Sequence, residues 1–320
     1  MHPPGTLRND VDPFVEPLRE NELLINLITD VSGASRDDVV RRFVREHRDP
    51  GTNVREALRQ RGIKPYVWSE ELEAFYAATD SFLYESLVWN RTSMKNDMRQ
   101  WIGAHLRRVS DSPQRILTFG DGLGLDAYYL ATIGHRVTYF DVSQKCSAFA
   151  RRIFERGDLE VEMLADPMQL SRDAYDDVIC LDVLEHVPDP VSLVGWLSEL
   201  LCDGGHLAVH APFYFLHSSV STHLRCNQRF SGNVGRLYKP FGLHPVDGRL
   251  FWNPLVLEKR QEGEKGSSSR PPWSVVAGGA LLALGRFWSL PHATAARSLA
   301  LQSRSRLKAM AAELDDEGVA

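Results

Sequence analysis

Residues 115–140 read RILTFGDGLGLDAYYLATIGHRVTYF and run straight into Asp141. No other stretch of the chain restricts its fold as much. An apolar run that ends in glycines at alternate positions, Gly120, Gly122 and Gly124, is a strand entering a tight turn. The apolar run from there to Gly134 is a helix, and HRVTYF is a second strand with a carboxylate at its tip. This is half of a nucleotide-binding βαβ unit. The glycines let a ligand approach the backbone without meeting a Cβ, and the helix that follows points its free N–H groups at the same spot. A carboxylate at the tip of the next strand can take both hydroxyls of a ribose.

The same alternation continues downstream. A helix over 144–156 leads to a strand over 159–164, then the turn ADPMQL, the strand YDDVICLD, the helix LVGWLSELL and the strand HLAVHAP. After a long loop, 231–239 reads as a helix, and HPVDGRLFWNPLVLEK as two strands turning near Trp252 and Asn253. The expected fold class is α/β: a doubly wound, mainly parallel seven-stranded sheet closed by a terminal β-hairpin, with ligands at the carboxyl ends of the strands. A helical N-terminal region and a C-terminal helical extension flank it.

Ahead of the sheet the pattern is helical. Leu23, Leu24, Leu27 and Ile28 are spaced for one helix; Ser35 with Asp38 opens another, to His47; and Asn53 with Glu56 opens a third that Gly62 closes. A longer pattern runs from Glu70 to about Val109 with a break near Asn90. Its aromatic part, FYAATDSFLYESLVWN, is a candidate lid over the glycine turn, with Tyr76, Tyr84 or Trp89 at the pocket; plain packing on the sheet explains it equally well. Basic side chains outnumber acidic ones over 36–64, but the signs are interspersed as on a solvated helix face.

Beyond the sheet, residues 262–272 (EGEKGSSSRPP) read as a linker. The apolar stretch WSVVAGGALLALG would be roughly 20 Å long as a helix, short of a hydrocarbon layer of about 30 Å, so no transmembrane span is expected. It packs back on the domain or on a second copy in a homo-oligomer, with interfacial membrane contact through 273–290 as the alternative. Residues 294–314 read as an Ala-rich amphipathic helix. The expected division is 1–112 as helical lid and substrate region, 113–260 as the cofactor-binding domain and 261–320 as linker and helices. A net charge of −5 gives no pull toward nucleic acid, the four scattered cysteines read as reduced thiols, and the N-terminus has no secretory pattern, so a cytoplasmic enzyme is expected.

Taken in order, GDGLG, Asp141, Ala165-Asp166-Pro167-Met168, DVLEHVPDP and LCDGGHLAVHAP resemble a class I S-adenosylmethionine-dependent methyltransferase, within the small-molecule group that includes quinone-biosynthesis enzymes. The resemblance covers about 115–259. It implies S-adenosyl-L-methionine as cofactor, with Gly120, Gly122 and Gly124 framing its methionine part, Asp141 on the ribose, Asp166 on the adenine amino group, Met168 against the ring and Asp182 near the methionine end. The family usually carries an acid two residues before the first glycine. Here that residue is Thr118, so the cofactor's ammonium needs another partner, Asp121 or Asp182.

Methyl transfer needs a base only for a protonated acceptor. The candidate bases are His210 first and His186 second, with His217, His223 and Tyr214 nearby. The spacings among His210, His217 and His223 fit no metal-ligand pattern, so no metal is expected. The expected activity is methylation of an O or N of a small-molecule acceptor. The alternatives are a non-catalytic cofactor-binding interaction module, which Thr118 and the long flanking helices favour, and a nicotinamide-dependent oxidoreductase, which the glycine turn and Asp141 alone would permit.

Overall fold

In the computed structural model of the chain, residues 7–8, 10–261, 271–284 and 305–315 are described. Six helices come first: α1 (Asn21–Ser32), α2 (Arg36–Arg48), α3 (Thr52–Gln60), α4 (Glu70–Ala78), α5 (Ser81–Asn90) and α6 (Ser93–Val109). Their starts follow from local chemistry, because a side-chain oxygen takes an otherwise orphaned N–H of the first turn: Ser35 from Asp38, Ser69 from Leu72 and Thr92 from Lys95. The long helical pattern breaks at Asn90–Thr92 as expected, and again at Thr79–Asp80. α3 starts one residue earlier than its sequence signal, with Gly51 in the left-handed conformation as its N-cap. Asn53 is no cap; it is buried, and its side-chain amide donates to Glu46 and to the Arg42 carbonyl.

The sheet elements then alternate with helices: β1 (Arg115–Phe119), α7 (Leu125–Thr132), β2 (Arg136–Phe140), α8 (Gln144–Arg156), β3 (Val161–Leu164), β4 (Tyr175–Leu181), α9 (Pro190–Leu200), β5 (Leu201–His210), the single turn α10 (Val234–Leu237), β6 (Leu243–Gly248) and β7 (Leu255–Lys259). The seven strands lie in the order β3-β2-β1-β4-β5-β7-β6. The first five are parallel, and β7 runs antiparallel to both neighbours. The order reverses between β1 and β4, which opens a crevice at their carboxyl ends where ligands bind in such sheets. In place of a helix over 231–239 there are only α10 and short 3-10 turns, as a segment with Pro240 between Gly235 and Gly242 permits.

Alternate strand residues feed two cores, because successive side chains leave a strand on opposite faces. Ile116, Tyr139 and Ile179 join the N-terminal helices, α7 and α8 in one apolar cluster; Leu117, Phe140, Val178 and Cys180 join α9 and the hairpin in the other. The helices before the sheet thus share a core with it. Tyr84 belongs to that core, fully buried with the Arg42 guanidinium over its ring, so it does not reach the crevice. Arg42 in turn forks onto Asp80 at 2.7 and 2.8 Å.

Past the hairpin, α11 (Trp273–Leu284) packs on 248–252, where Trp252 Nε1 donates to the Val275 carbonyl at 2.8 Å. Residues 305–315 are helical; the linker 262–270, residues 285–304 and residues 316–320 lie outside the described residues. Among the described residues, no helix is long and apolar enough to cross a membrane.

Two buried histidines tie fold stability to pH. His135 Nδ1 accepts from the Gln114 N–H at 3.2 Å, and His47 Nε2 accepts from Arg91 while its Nδ1 donates to the Phe43 carbonyl. Burial, helped by Arg107 and by Arg91 respectively, pushes their pKa values down to about 4 and about 3. Below the ordinary value near 6.5 the unfolded chain therefore takes up protons that the folded one refuses, so stability present at neutral pH is lost as pH falls. Urea unfolding at pH 7 and pH 5 should differ by about 4 kcal/mol from these two sites together, and H47Q with H135Q should flatten that slope.

Candidate active site

The three turn glycines are all left-handed, with φ of 71° at Gly120, 60° at Gly122 and 72° at Gly124, but their surroundings differ. A Cβ on Gly120 would stand 2.5 Å from Val183 Cγ2, and one on Gly124 would stand 2.6 Å from the Phe154 ring and 2.8 Å from the Ala150 methyl. At Gly122 the nearest atom is Ser86 Oγ at 3.8 Å. Gly124 therefore lets α7 approach α8, whereas Gly122 is the glycine whose backbone faces open space. α5, which carries Ser86, lies across the turn.

Asp141, at the tip of β2, organises this turn. Its Oδ2 accepts the Gly122 N–H and its Oδ1 accepts the Ser143 N–H, both at 2.7 Å. Tyr139 Oη donates to the Gly122 carbonyl at 2.5 Å, pinning the peptide on its other side. Burial raises the Asp141 pKa, and the two N–H donors work against that rise. One strand further on, Asp166 Oδ1 accepts from the Met168 N–H at 2.8 Å and Gln169 bonds back, a capping box that shapes the ADPMQ turn. Met168 projects with 87% of its surface exposed.

A buried ion cluster lies behind the turn. Lys95 Nζ is 2.8 Å from Asp126 and 3.6 Å from Asp182, and Arg99 Nε donates to Asp126 at 2.7 Å. Burial pushes the Asp126 pKa up, but Lys95 and Arg99 outweigh it and hold the carboxyl below its ordinary range. Asp121 is spent within the same cluster: its carboxylate accepts the Ala127 and Asp126 N–H groups at 2.7 and 3.2 Å. Burial and the Asp126 charge raise its pKa to about 8. Asp121 thus caps α7 and does not reach toward the open side of the turn. Thr118, on the central strand, is buried, and its hydroxyl has no hydrogen-bond partner.

Asp182 follows β4 with φ of 60°, an uncommon conformation that aspartate tolerates. Its Oδ2 accepts from Trp89 Nε1 at 2.9 Å and its Oδ1 meets His210 Nδ1 at 2.6 Å. Burial would raise its pKa, yet His210, Lys95 and Trp89 together hold it below the ordinary carboxylate value. The loop then brings Glu185 and His186 beside His223, with Tyr76 Oη 2.9 Å from His186 Nδ1. Burial pushes the Glu185 pKa up and those of His186, to about 4, and His223 down. His217 is exposed; it shapes its own 3-10 turn through Ser219 and stacks on the Phe215 ring.

The structure thus pairs Gly122 with Asp141 at the glycine turn and Asp182 with His210 and Trp89 after β4, with Gly120 packed beside Val183 between them and His186 in the adjoining cluster. Lys95, Arg99 and Asp126 were not singled out from the sequence. Their signal is present nonetheless: Lys95 and Arg99 are four apart and share the buried face of α6 with Met98 and Ile102, where a charge must find a buried partner.

A family model described as a methyltransferase domain matches residues 91–239. The chain is 36% identical over 107 residues to a ubiquinone biosynthesis O-methyltransferase of Xylella fastidiosa, covering 32% of this chain and 44% of that protein. It is 35% identical over 160 residues to the protein of that name from Bordetella pertussis, covering 48% and 62%. The chain therefore spans only about half the length of these curated relatives. A solved 1,6-didemethyltoxoflavin-N1-methyltransferase from Burkholderia thailandensis aligns over 60% of this chain and 86% of its own, with a TM-score of 0.41 and 19% identity. On the family match, the order of the sheet and the form of the glycine turn, residues 91–239 carry a methyltransferase domain with the class I fold.

Proposed function

We propose that the domain binds S-adenosylmethionine at the glycine turn and methylates an oxygen or nitrogen of a small-molecule acceptor in the cytoplasm. The observation that carries this reading is the pairing of Gly122 with Asp141. Each Asp141 oxygen accepts one backbone N–H, which leaves a lone pair on each for the two hydroxyls of a ribose, and Gly122 keeps the adjoining space clear of side chains. The residues fit the cofactor at its adenosyl end. At its amino-acid end, where Thr118 stands in place of the usual acid and Asp121 caps α7, Asp182 is the remaining carboxylate, its oxygens shared with Trp89, Lys95 and His210.

When bound, the cofactor supplies an electrophilic methyl carbon on a sulfonium. The protein's part is to hold the acceptor in line and dry, and to take its proton where there is one. His210 is buried, and with Nδ1–H donating to Asp182 its Nε2 carries the lone pair that can accept that proton. His186, the second candidate, faces Glu185, His223 and Tyr76. Residues 1–112 serve as lid and substrate region, with α5 and α6 joined to the crevice by Trp89 and Lys95.

Calorimetric titration of the purified chain with S-adenosylmethionine, S-adenosylhomocysteine and NADH tests the reading. Both adenosyl ligands should bind in the micromolar range, and D141A should weaken them about 100-fold, as expected from losing two hydrogen bonds to a charged group. Silence toward the adenosyl ligands in the folded protein, or binding of NADH in their place, would overturn it.

A further inference from the structure

Methyl transfer as read above turns to His186 only as its second candidate base and gives Glu185 and His223 beside it no task. Glu185, at 1% exposure, has no hydrogen-bond partner for either carboxylate oxygen. Burying an acceptor of this strength unsatisfied is costly, and such groups in folded proteins mark a missing partner. Two histidine nitrogens already face it: His186 Nε2 lies 3.9 Å and His223 Nε2 3.8 Å from Glu185 Oε1. One ligand atom from each of the three residues lies within 4.8 Å of the other two. Around a tetrahedral zinc ion with bonds of about 2.0–2.1 Å, neighbouring ligand atoms stand roughly 3.3 Å apart, so each Glu–His separation closes by about half an ångström and the His–His separation by at most about 1.5 Å, within reach of side-chain rotation.

Both rings are oriented from behind in the manner of metal ligands. His223 Nδ1 lies 2.7 Å from the Phe215 carbonyl, which can only accept, so Nδ1 carries the proton and Nε2 presents its lone pair toward Glu185. His186 Nδ1 is held by Tyr76 Oη at 2.9 Å, leaving its Nε2 toward the same point. The backbone is clamped as well. The Leu224 N–H donates to the Glu185 carbonyl at 2.9 Å, and the Asn227 side-chain amide donates to the Val187 carbonyl at 2.8 Å, joining the loop after β4 to the segment that holds His223. The ligands are therefore pre-positioned by contacts that no metal is needed to form.

We propose that Glu185, His186 and His223 bind one zinc(II) ion, with the fourth position open. Two neutral imidazoles and one carboxylate match the ligand preference of zinc over magnesium or calcium, and three protein ligands leave the position that water or an acceptor heteroatom takes. The histidine spacings gave no hint of this, because His223 pairs with Glu185 and His186 across two loops and not with His210 or His217. The assignment does not depend on the methyl-transfer reading.

The test is a titration of the chelator-stripped full-length chain with Co(II). One equivalent should produce the intense visible absorption of four-coordinate cobalt, and one equivalent of Zn(II) should displace it. E185Q and H223Q should each lower metal affinity at least about 100-fold while keeping the wild-type circular dichroism, and Y76F should lower it about tenfold by freeing the His186 ring. Zinc should also raise the melting temperature of the wild type and not that of E185Q. A folded wild type that gives no cobalt band, or an E185Q protein that binds cobalt as tightly as wild type, would overturn the assignment. Neither readout uses S-adenosylmethionine, so failure here and failure of the methyl-transfer reading are separable.

Discussion

Replacing Lys95 with methionine is expected to destabilise the chain by about 3–5 kcal/mol, the cost typical of removing one partner from a buried ion pair. The reason is charge balance. Within the cluster Lys95 and Arg99 face Asp126 and Asp182, while burial and the Asp126 charge push the Asp121 pKa up. Taking away one cation leaves a carboxylate short of its counter-charge in a site where Lys95 is 4% exposed. Methionine fills a similar volume, so the loss is electrostatic and not a cavity. Urea unfolding of K95M would show it, and K95M/D126N should regain part of the loss because the orphaned charge goes with its partner. A K95M midpoint equal to wild type would mean the cluster is hydrated and contributes little.

The second large effect separates two glycines that look alike. Alanine at Gly124 is expected to cost about 2–4 kcal/mol, since its methyl would meet Phe154 at 2.6 Å and Ala150 at 2.8 Å while the backbone stays left-handed. Alanine at Gly122 bears only the left-handed penalty, about 1–2 kcal/mol, because its methyl would enter open space. That methyl would occupy the approach of a ligand to the backbone, so G122A should remain folded yet lose adenosyl binding about tenfold or more. Melting curves and the same calorimetric titration, run on both variants, read the two effects apart. Equal stability of the two would show that Gly124 is not a packing glycine.

Much of the architecture was legible in the chain itself. The alternation of short apolar strands with helices after Arg115 dictates a parallel sheet, because a parallel neighbour needs a crossover and the crossover is the helix. Gly122 and Asp141 could be picked out for the same reason: a turn that needs positive φ and a carboxylate at a strand tip are local features. Tyr84 could not be placed. An aromatic at helical spacing suits a pocket or a core equally, and here Arg42, from another helix, decided for the core. The engagement of Asp121 was not legible either, because it took the folded first turn of α7 to bring the Asp126 and Ala127 N–H groups onto its carboxylate. Helix limits near 231–239 were set jointly by Pro240 with its flanking glycines and by the packing of Leu237 and Tyr238 against α9 and the hairpin, and only the first of these is local.

What the sequence determined by itself was the order of elements, the glycine turn, the carboxylate after it and the class of ligand such a turn accepts. These are encoded in residues close along the chain, where backbone conformation and periodicity act directly. What only the tertiary structure decided was the company each polar side chain keeps: Lys95 with Asp126 and Asp182, Trp89 and His210 on one aspartate, His223 beside Glu185 and His186. A buried charge is stable only with a partner, and that partner comes from whichever element packs opposite, at a sequence distance set by topology.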